Sequence, residues 1–276
     1  MKPIVDTILN MPMLEWPIKH PSMPRDTRAE FYGCDSENLL SHNKKILPKN
    51  WVYNTTPVKY NFNKQGLRMR KNIENISADY IYFGGSSYTL GVGINEDARF
   101  SEKTSSSLNL DFINFSGPIY GIKMQTIAFF NFLNIGIHLP KVLIVEHLPG
   151  AYNYYSADNF LLYKSKYAAN PEKYSSFYNA HKSLNETDHF FQESVMYANF
   201  LKSVCKRLKI KLIEISFYHN DRYTKEFNIV AVDRDSNKEN INYCYGRDVY
   251  IENGHYTGHA GIGIHNEMTN LLLDQI

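Results

Sequence analysis

Four short apolar runs recur along the chain: Tyr80-Ile81-Tyr82-Phe83, Ile113-Asn114-Phe115, Val142-Leu143-Ile144-Val145 and Leu212-Ile213-Glu214-Ile215. Each is too short for a helix and is rich in β-branched or aromatic residues, so each predicts a buried strand. Between the runs the apolar spacing lengthens to three or four residues. Over 122–135 it picks out Ile122, Ile127, Phe130, Leu133 and Ile135. Over 187–208 it picks out Phe190, Phe191, Val195, Met196, Phe200, Leu201 and Val204. Both stretches predict helices, and the second carries Lys202, Lys206 and Arg207 towards its end, where the helix dipole favours cations. Strands alternating with helices imply an α/β protein, a three-layer α/β/α arrangement around a central parallel sheet. In such sheets ligands bind beyond the carboxyl ends of the strands, so the first place to look for chemistry is Gly84.

The flanks break this alternation. Residues 1–50 hold Pro3, Pro12, Pro17, Pro21, Pro24 and Pro48. Proline fixes φ and removes a donor, which predicts an irregular N-terminal extension wrapping the core without adding an element to it. The domain proper is expected over 51–276, with short strands between Trp51 and Arg70 and a turn at Lys64-Gln65-Gly66. Residues 150–186 form an insertion holding seven tyrosines, and 218–247 a second, polar insertion. The aromatic insertion suits a lid that sets substrate choice, a contact between copies in a homo-oligomer, or a small satellite core.

Composition narrows the class. Hydrophobic residues at 43% and charged residues at 21% place the chain with globular proteins. A net charge of +2 argues against nucleic acid as partner, because that affinity comes from a basic surplus. No apolar run approaches the ~20 residues of a transmembrane helix. Met1-Lys2-Pro3-Ile4-Val5-Asp6 lacks a secretory apolar region, so the expected location is cytoplasmic. Cys34, Cys205 and Cys244 are odd in number and have no paired spacing. They read as reduced thiols, with Cys205 packing inside a helix.

The segment after the first strand reads Gly84-Gly85-Ser86-Ser87-Tyr88-Thr89-Leu90-Gly91-Val92-Gly93-Ile94. Small residues at a strand end allow a tight turn, and a hydroxyl opening the next helix sits among N–H donors suited to an oxyanion. This segment resembles the first block of the SGNH (GDSL-type) hydrolases, Gly-Asp-Ser-x-Thr-x-Gly-x-Gly-Val. In that register Ser87 matches the nucleophile and Ser86 stands where the family has Asp, with Ser86 itself the runner-up nucleophile. Upstream, Asn63-Lys64-Gln65-Gly66-Leu67-Arg68 is similar to the Asn-x-x-Gly-x-Arg lead-in of bacterial members. Downstream, Asn114-Phe115-Ser116-Gly117-Pro118-Ile119-Tyr120-Gly121 with Gln125 resembles the second block. The likeness spans about 60–148 and the last thirty residues. The third block, Gly-x-Asn-Asp, is missing: the strand continues as Val145-Glu146-His147-Leu148-Pro149-Gly150-Ala151-Tyr152-Asn153.

A serine hydroxyl needs a base, usually a histidine oriented by a carboxylate. The informative run near the C-terminus is Asp248 to Gly261, followed by an apolar tail that predicts a final helix with Thr257 as its N-cap. The family's last block is Asp-x-x-His, and Glu252-x-x-His255-Tyr256-Thr257 resembles it with Glu for Asp. His255 is therefore the expected base and Glu252 its acid, with Asp248 the alternative acid and His259 the alternative base. His255-x-x-x-His259 also has the spacing of a zinc pair, but four glycines make a helix there poor and the companion Glu is absent. No metal or organic cofactor is expected.

The resemblance implies a serine esterase, for example a deacetylase, working through an acyl-enzyme on an ester of a small molecule or carbohydrate. The oxyanion would be held by the N–H groups of Ser87 and of Ser116 or Gly117, with Asn153 or His147 as the candidates to replace the missing Asn. Tyr88, Tyr120, His147 and Tyr152 are the substrate-binding candidates. Two other readings stand beside hydrolysis: an O-acyltransferase of the same fold, and an inactive SGNH-like binding protein, which the missing Asn-Asp and the Ser86 exchange both invite.

Overall fold

Along the first apolar run Tyr80 and Tyr82 turn to one face of a sheet while Ile81 and Phe83 turn to the other, the period-two consequence of a pleated strand. The computed structural model describes residues 25–117, 120–133, 138–148, 189–218, 227–233 and 239–276. In chain order the elements are β1 (Thr27–Ala29), α1 (Glu37–Ile46), β2 (Tyr60–Phe62), β3 (Tyr80–Gly85), α2 (Ser87–Leu90), α3 (Phe100–Ser107), β4 (Asp111–Ser116), α4 (Ile122–Leu133), β5 (Val142–Glu146), α5 (His189–Leu208), β6 (Lys211–Ser216), β7 (Ile229–Ala231), α6 (Ile241–Cys244), β8 (Tyr250–Glu252), β9 (His255–Thr257) and α7 (Ile262–Leu273).

Five strands form one parallel sheet in the order β4-β3-β5-β6-β7. On one face α4 packs against α5, and Phe129, Phe132 and Leu201 join Tyr82, Leu143 and Val145 in one apolar core. On the other, α3 packs against α7, and Phe100, Ile264 and Met268 join Ile81, Phe83 and Ile144 in a second. The three-layer α/β/α expectation is met. From β3 the chain first moves outward to β4 and then returns to the far side at β5. This reversal opens a crevice beyond the carboxyl ends of β3 and β5, the place where open α/β sheets bind ligands.

The flanks differ from the expectation. The extension supplies β1, paired antiparallel with β2 (Ala29 opposite Tyr60), and α1, capped by Ser36, whose hydroxyl accepts from the Leu39 N–H at 3.2 Å. Buried Asn43 of α1 donates to the Val249 carbonyl at 2.5 Å. Of the six prolines only Pro48 lies within 25–50, so β1 and α1 keep their free φ and their N–H donors. The second insertion contains β7, too short to show a pattern. Helix α7 begins at Ile262 with Gly261 as N-cap, and Thr257, expected to cap it, lies in β9. The aromatic insertion falls outside the described residues, and with it Tyr152 and Asn153. None of the described helices is long and apolar enough to cross a membrane.

Candidate active site

Strand β3 ends in a buried cage around one carboxylate. Ser86 caps α2, its Oγ accepting from the Tyr88 N–H at 3.1 Å and donating to Glu146 Oε1 at 2.5 Å. Glu146 Oε2 accepts from the Ser86 N–H (2.8 Å), the Thr89 hydroxyl (2.6 Å) and the Thr89 N–H (3.3 Å). Burial raises the Glu146 pKa, and these donors offset that only in part. A Cβ on Gly85 would lie 2.1 Å from Thr89 Oγ1 and 2.8 Å from Glu146 Oε2, so the cage closes only on glycine. Gln125 pins the carboxylate's strand: its Nε2 donates to the Glu146 carbonyl at 2.7 Å and its Oε1 accepts from the Glu146 N–H at 2.9 Å. Sequence reasoning passed over Glu146. The signal was an acid at the end of an otherwise wholly apolar strand, where an unpaired charge would be costly.

The Ser86 hydroxyl is buried and engaged by Glu146, whereas Ser87, the next residue, is half-buried and turns its hydroxyl elsewhere. The turn beyond it is held by Arg68, the arginine of the lead-in motif, which donates to the carbonyls of Leu90 (3.0 Å), Gly91 and Ile94 (2.6 Å). Gly91 and Gly93 both have left-handed backbone, with φ of 78° and 80°. Gly93 has a second reason to be glycine, since a Cβ there would lie 2.4 Å from Asp248 Oδ1.

Ser87 Oγ lies 2.7 Å from Nε2 of His259, and His259 Nδ1 lies 2.5 Å from Oδ2 of Asp248. Backbone pairing sets both partners. Arg247 N–H donates to the Gly93 carbonyl at 2.7 Å, Gly246 N–H donates to the His259 carbonyl at 2.9 Å, and Tyr245 bridges Ala260. The Tyr88 ring, stacked on Phe217, stands 5.1 Å from the imidazole. Burial alone would depress the His259 pKa, but the Asp248 charge and hydrogen bond, with a further contribution from Cys34, outweigh it and hold the imidazole up at about 10. Asp35 accepts the Arg247 guanidinium through both carboxylate oxygens and the Tyr60 hydroxyl at 2.5 Å. The extension therefore braces the loop that carries Asp248.

The serine thus meets His259, not His255. His255 and Glu252 face each other across the β8–β9 hairpin, both exposed, and the turn between them is Asn253-Gly254 with φ of 50° and 80°. The Glu-x-x-His pattern was a two-residue hairpin, for which Asn-Gly between alternating residues is itself a strong signal. The hairpin is inserted between Asp248 and His259, which stretches the acid–base spacing beyond the Asp-x-x-His pattern.

The remaining candidates divide. Gly117 N–H donates to the Gly85 carbonyl at 3.1 Å and is taken up by the sheet, while Ser116, the last residue of β4, donates its hydroxyl to Asn114 Oδ1 at 2.5 Å. Asn114 in turn donates to the Thr89 carbonyl at 3.2 Å, tying β4 to α2. Tyr88 is buried, with its hydroxyl 2.6 Å from that of Tyr218. Tyr120 is buried against Phe115, on the opposite core from Tyr88. His147 is buried, its Nε2 2.9 Å from Glu214 Oε1 and its ring stacked on Phe227.

No sequence profile of a known family and no curated protein matches the chain. Among solved structures it is similar to a carbohydrate esterase described for divergent catalytic and non-catalytic binding functions of its active site (12% identity, TM-score 0.41, covering 76% of this chain and 66% of that one). It is also similar to a member of the lipolytic protein G-D-S-L family from Veillonella parvula (13%, 0.34, 71% and 97%). A third is a family two carbohydrate esterase from Clostridium thermocellum (15%, 0.35, 72% and 63%). The chain spans under two thirds of the length of either carbohydrate esterase chain. These likenesses are distant, and the chemistry of the site rests on its own geometry.

Proposed function

We propose that the protein is a serine esterase in which Ser87 is the nucleophile, His259 the base and Asp248 the acid that orients it. One observation carries this reading: a single imidazole touches a serine hydroxyl through one nitrogen and a buried carboxylate through the other, the arrangement that makes a serine nucleophilic. His259 takes the hydroxyl proton as Ser87 Oγ bonds to the acyl carbon. The proton then passes to the departing alcohol, and water, activated by the same imidazole, releases the acid. The Ser87 N–H, which as the first of α2 has no carbonyl within the helix to meet, is the first oxyanion donor. Ser116 supplies the second, since Gly117 is engaged. The substrate class is an acyl ester of a small molecule or carbohydrate.

The test is labelling with a serine-directed fluorophosphonate. Wild type, Ser86→Ala and His255→Ala should label, whereas Ser87→Ala and His259→Ala should not. Persistent labelling of Ser87→Ala would refute the assignment.

A further inference from the structure

Cys34 sits on the outer side of the same histidine–aspartate pair. Its Sγ lies 3.3 Å from Asp248 Oδ2 and 3.6 Å from His259 Nδ1, and the thiol is exposed while the carboxylate is buried. Among the described residues, these three bring one sulfur, one oxygen and one nitrogen donor together within 4.8 Å. From these donors we infer that the protein holds a second, inhibitory site: Cys34, Asp248 and His259 bind a thiophilic divalent cation such as zinc, and the cation switches the esterase off.

The geometry suits a tetrahedral ion. With Zn–S near 2.3 Å and Zn–N and Zn–O near 2.1 Å, tetrahedral edges come to about 3.6 Å from sulfur to nitrogen or oxygen and about 3.4 Å between nitrogen and oxygen. Both sulfur edges are already close to that. Only the 2.5 Å His259–Asp248 separation must widen, by ~0.9 Å for those bond lengths. The fourth position is left to water on the exposed side of Cys34. Softness also fits, since a thiolate with an imidazole selects zinc over magnesium or calcium.

Inhibition follows from proton accounting. On binding, the Cys34 thiol proton leaves to solvent, and the neutral His259 imidazole shifts its single proton from Nδ1 to Nε2, freeing the Nδ1 lone pair for the metal. An imidazole metallated at Nδ1 with Nε2–H intact can donate to Ser87 Oγ but cannot take its proton. The widening also breaks the hydrogen bond that orients the ring. Metal binding stands independently of the esterase reading; only the inhibitory consequence rests on it.

The test uses the full chain, stripped with a chelator. Cobalt(II) added to wild type should produce a thiolate-to-cobalt charge-transfer band in the near ultraviolet. Cys34→Ser, which keeps a hydroxyl beside Asp248 but loses the soft ligand, should lack the band. Zinc should abolish ester hydrolysis by wild type, reversibly on adding chelator. Cys34→Ser should hydrolyse ester without metal and need ~10–100-fold more zinc for inhibition, at least the loss seen when even outer partners of a metal site are removed. No cobalt band, or a band unchanged in Cys34→Ser, overturns the site. Equal zinc sensitivity in the two proteins overturns the inhibition. If stripped wild type hydrolyses no ester at all, the proposed function fails while the cobalt titration still decides the metal site.

Discussion

Asp248 Oδ2 and His259 Nδ1 stand 2.5 Å apart although they lie eleven positions apart in sequence. The intervening β8–β9 hairpin leaves the core and returns, so acid and base meet through backbone pairing of 245–246 with 259–260 rather than through a turn of fixed length. The site is thus an assembly of three chain segments, and each can be tested separately.

The pH profile is the first test. A base must be neutral, and His259 is held at about 10 by Asp248. Hydrolysis should therefore climb with pH through the mildly alkaline range and level off only near that value. Asp248→Asn should move the rise to lower pH and cut the maximal rate by roughly 10⁴, the loss seen when the orienting acid of such a triad is neutralised. A wild-type profile that is flat from pH 6 to about 9 would argue against His259 as base.

Removing the hairpin histidine should be harmless. His255→Ala and Glu252→Gln change exposed side chains, so stability should move within about 0.5 kcal/mol and kcat should hold. His259→Ala should reduce kcat to the residual level left by oxyanion stabilisation and binding. Comparable losses in His255→Ala would show that the hairpin serves the reaction directly.

Glu146 should position the nucleophile through the turn that bears it. Glu146→Ala would orphan the buried donors of Ser86 and Thr89, at about 1–3 kcal/mol for each unsatisfied group, and should lower Tm and kcat together. Glu146→Gln fills the same space and still accepts through one oxygen, so it should recover most of the Tm. A positioning role further requires that kcat fall more than KM rises. A pure rise in KM would identify Glu146 with substrate binding instead.

Two histidines should give stability a maximum near pH 6.5. Burial, helped by Arg99 and Arg68, pushes His265 down to about 3, with its Nδ1 accepting from the Phe100 N–H at 3.2 Å. Below its ordinary value of 6.5 the unfolded chain binds a proton that the folded one refuses. Stability should therefore fall with decreasing pH by up to about 1.4 kcal/mol per unit. His259 acts with the opposite sign: its raised pKa stabilises fully below 6.5, and that contribution is lost as pH rises through about 10. Denaturant unfolding across pH should show both limbs, and His265→Gln should flatten the acid one. An acid limb unchanged in that variant would assign it to other groups.

Much of this protein was legible in its residues. Apolar runs such as Tyr80–Phe83 can be stable only when buried on both sides, which dictates a covered parallel sheet, and the turn chemistry of Gly84 to Gly93 with Asn63, Gly66 and Arg68 marks the loop that carries Ser87 because those glycines and that arginine act locally on it. Which histidine meets the serine was decided by tertiary structure alone. Glu252-x-x-His255 satisfied a spacing rule, but spacing along a chain becomes distance in space only when the backbone between is known, and Asn253-Gly254 turns that stretch into an exposed hairpin. Glu146, Cys34 and Asp35 reach the site from β5 and from the extension by the same route: their positions follow from strand order and packing, which no local pattern records.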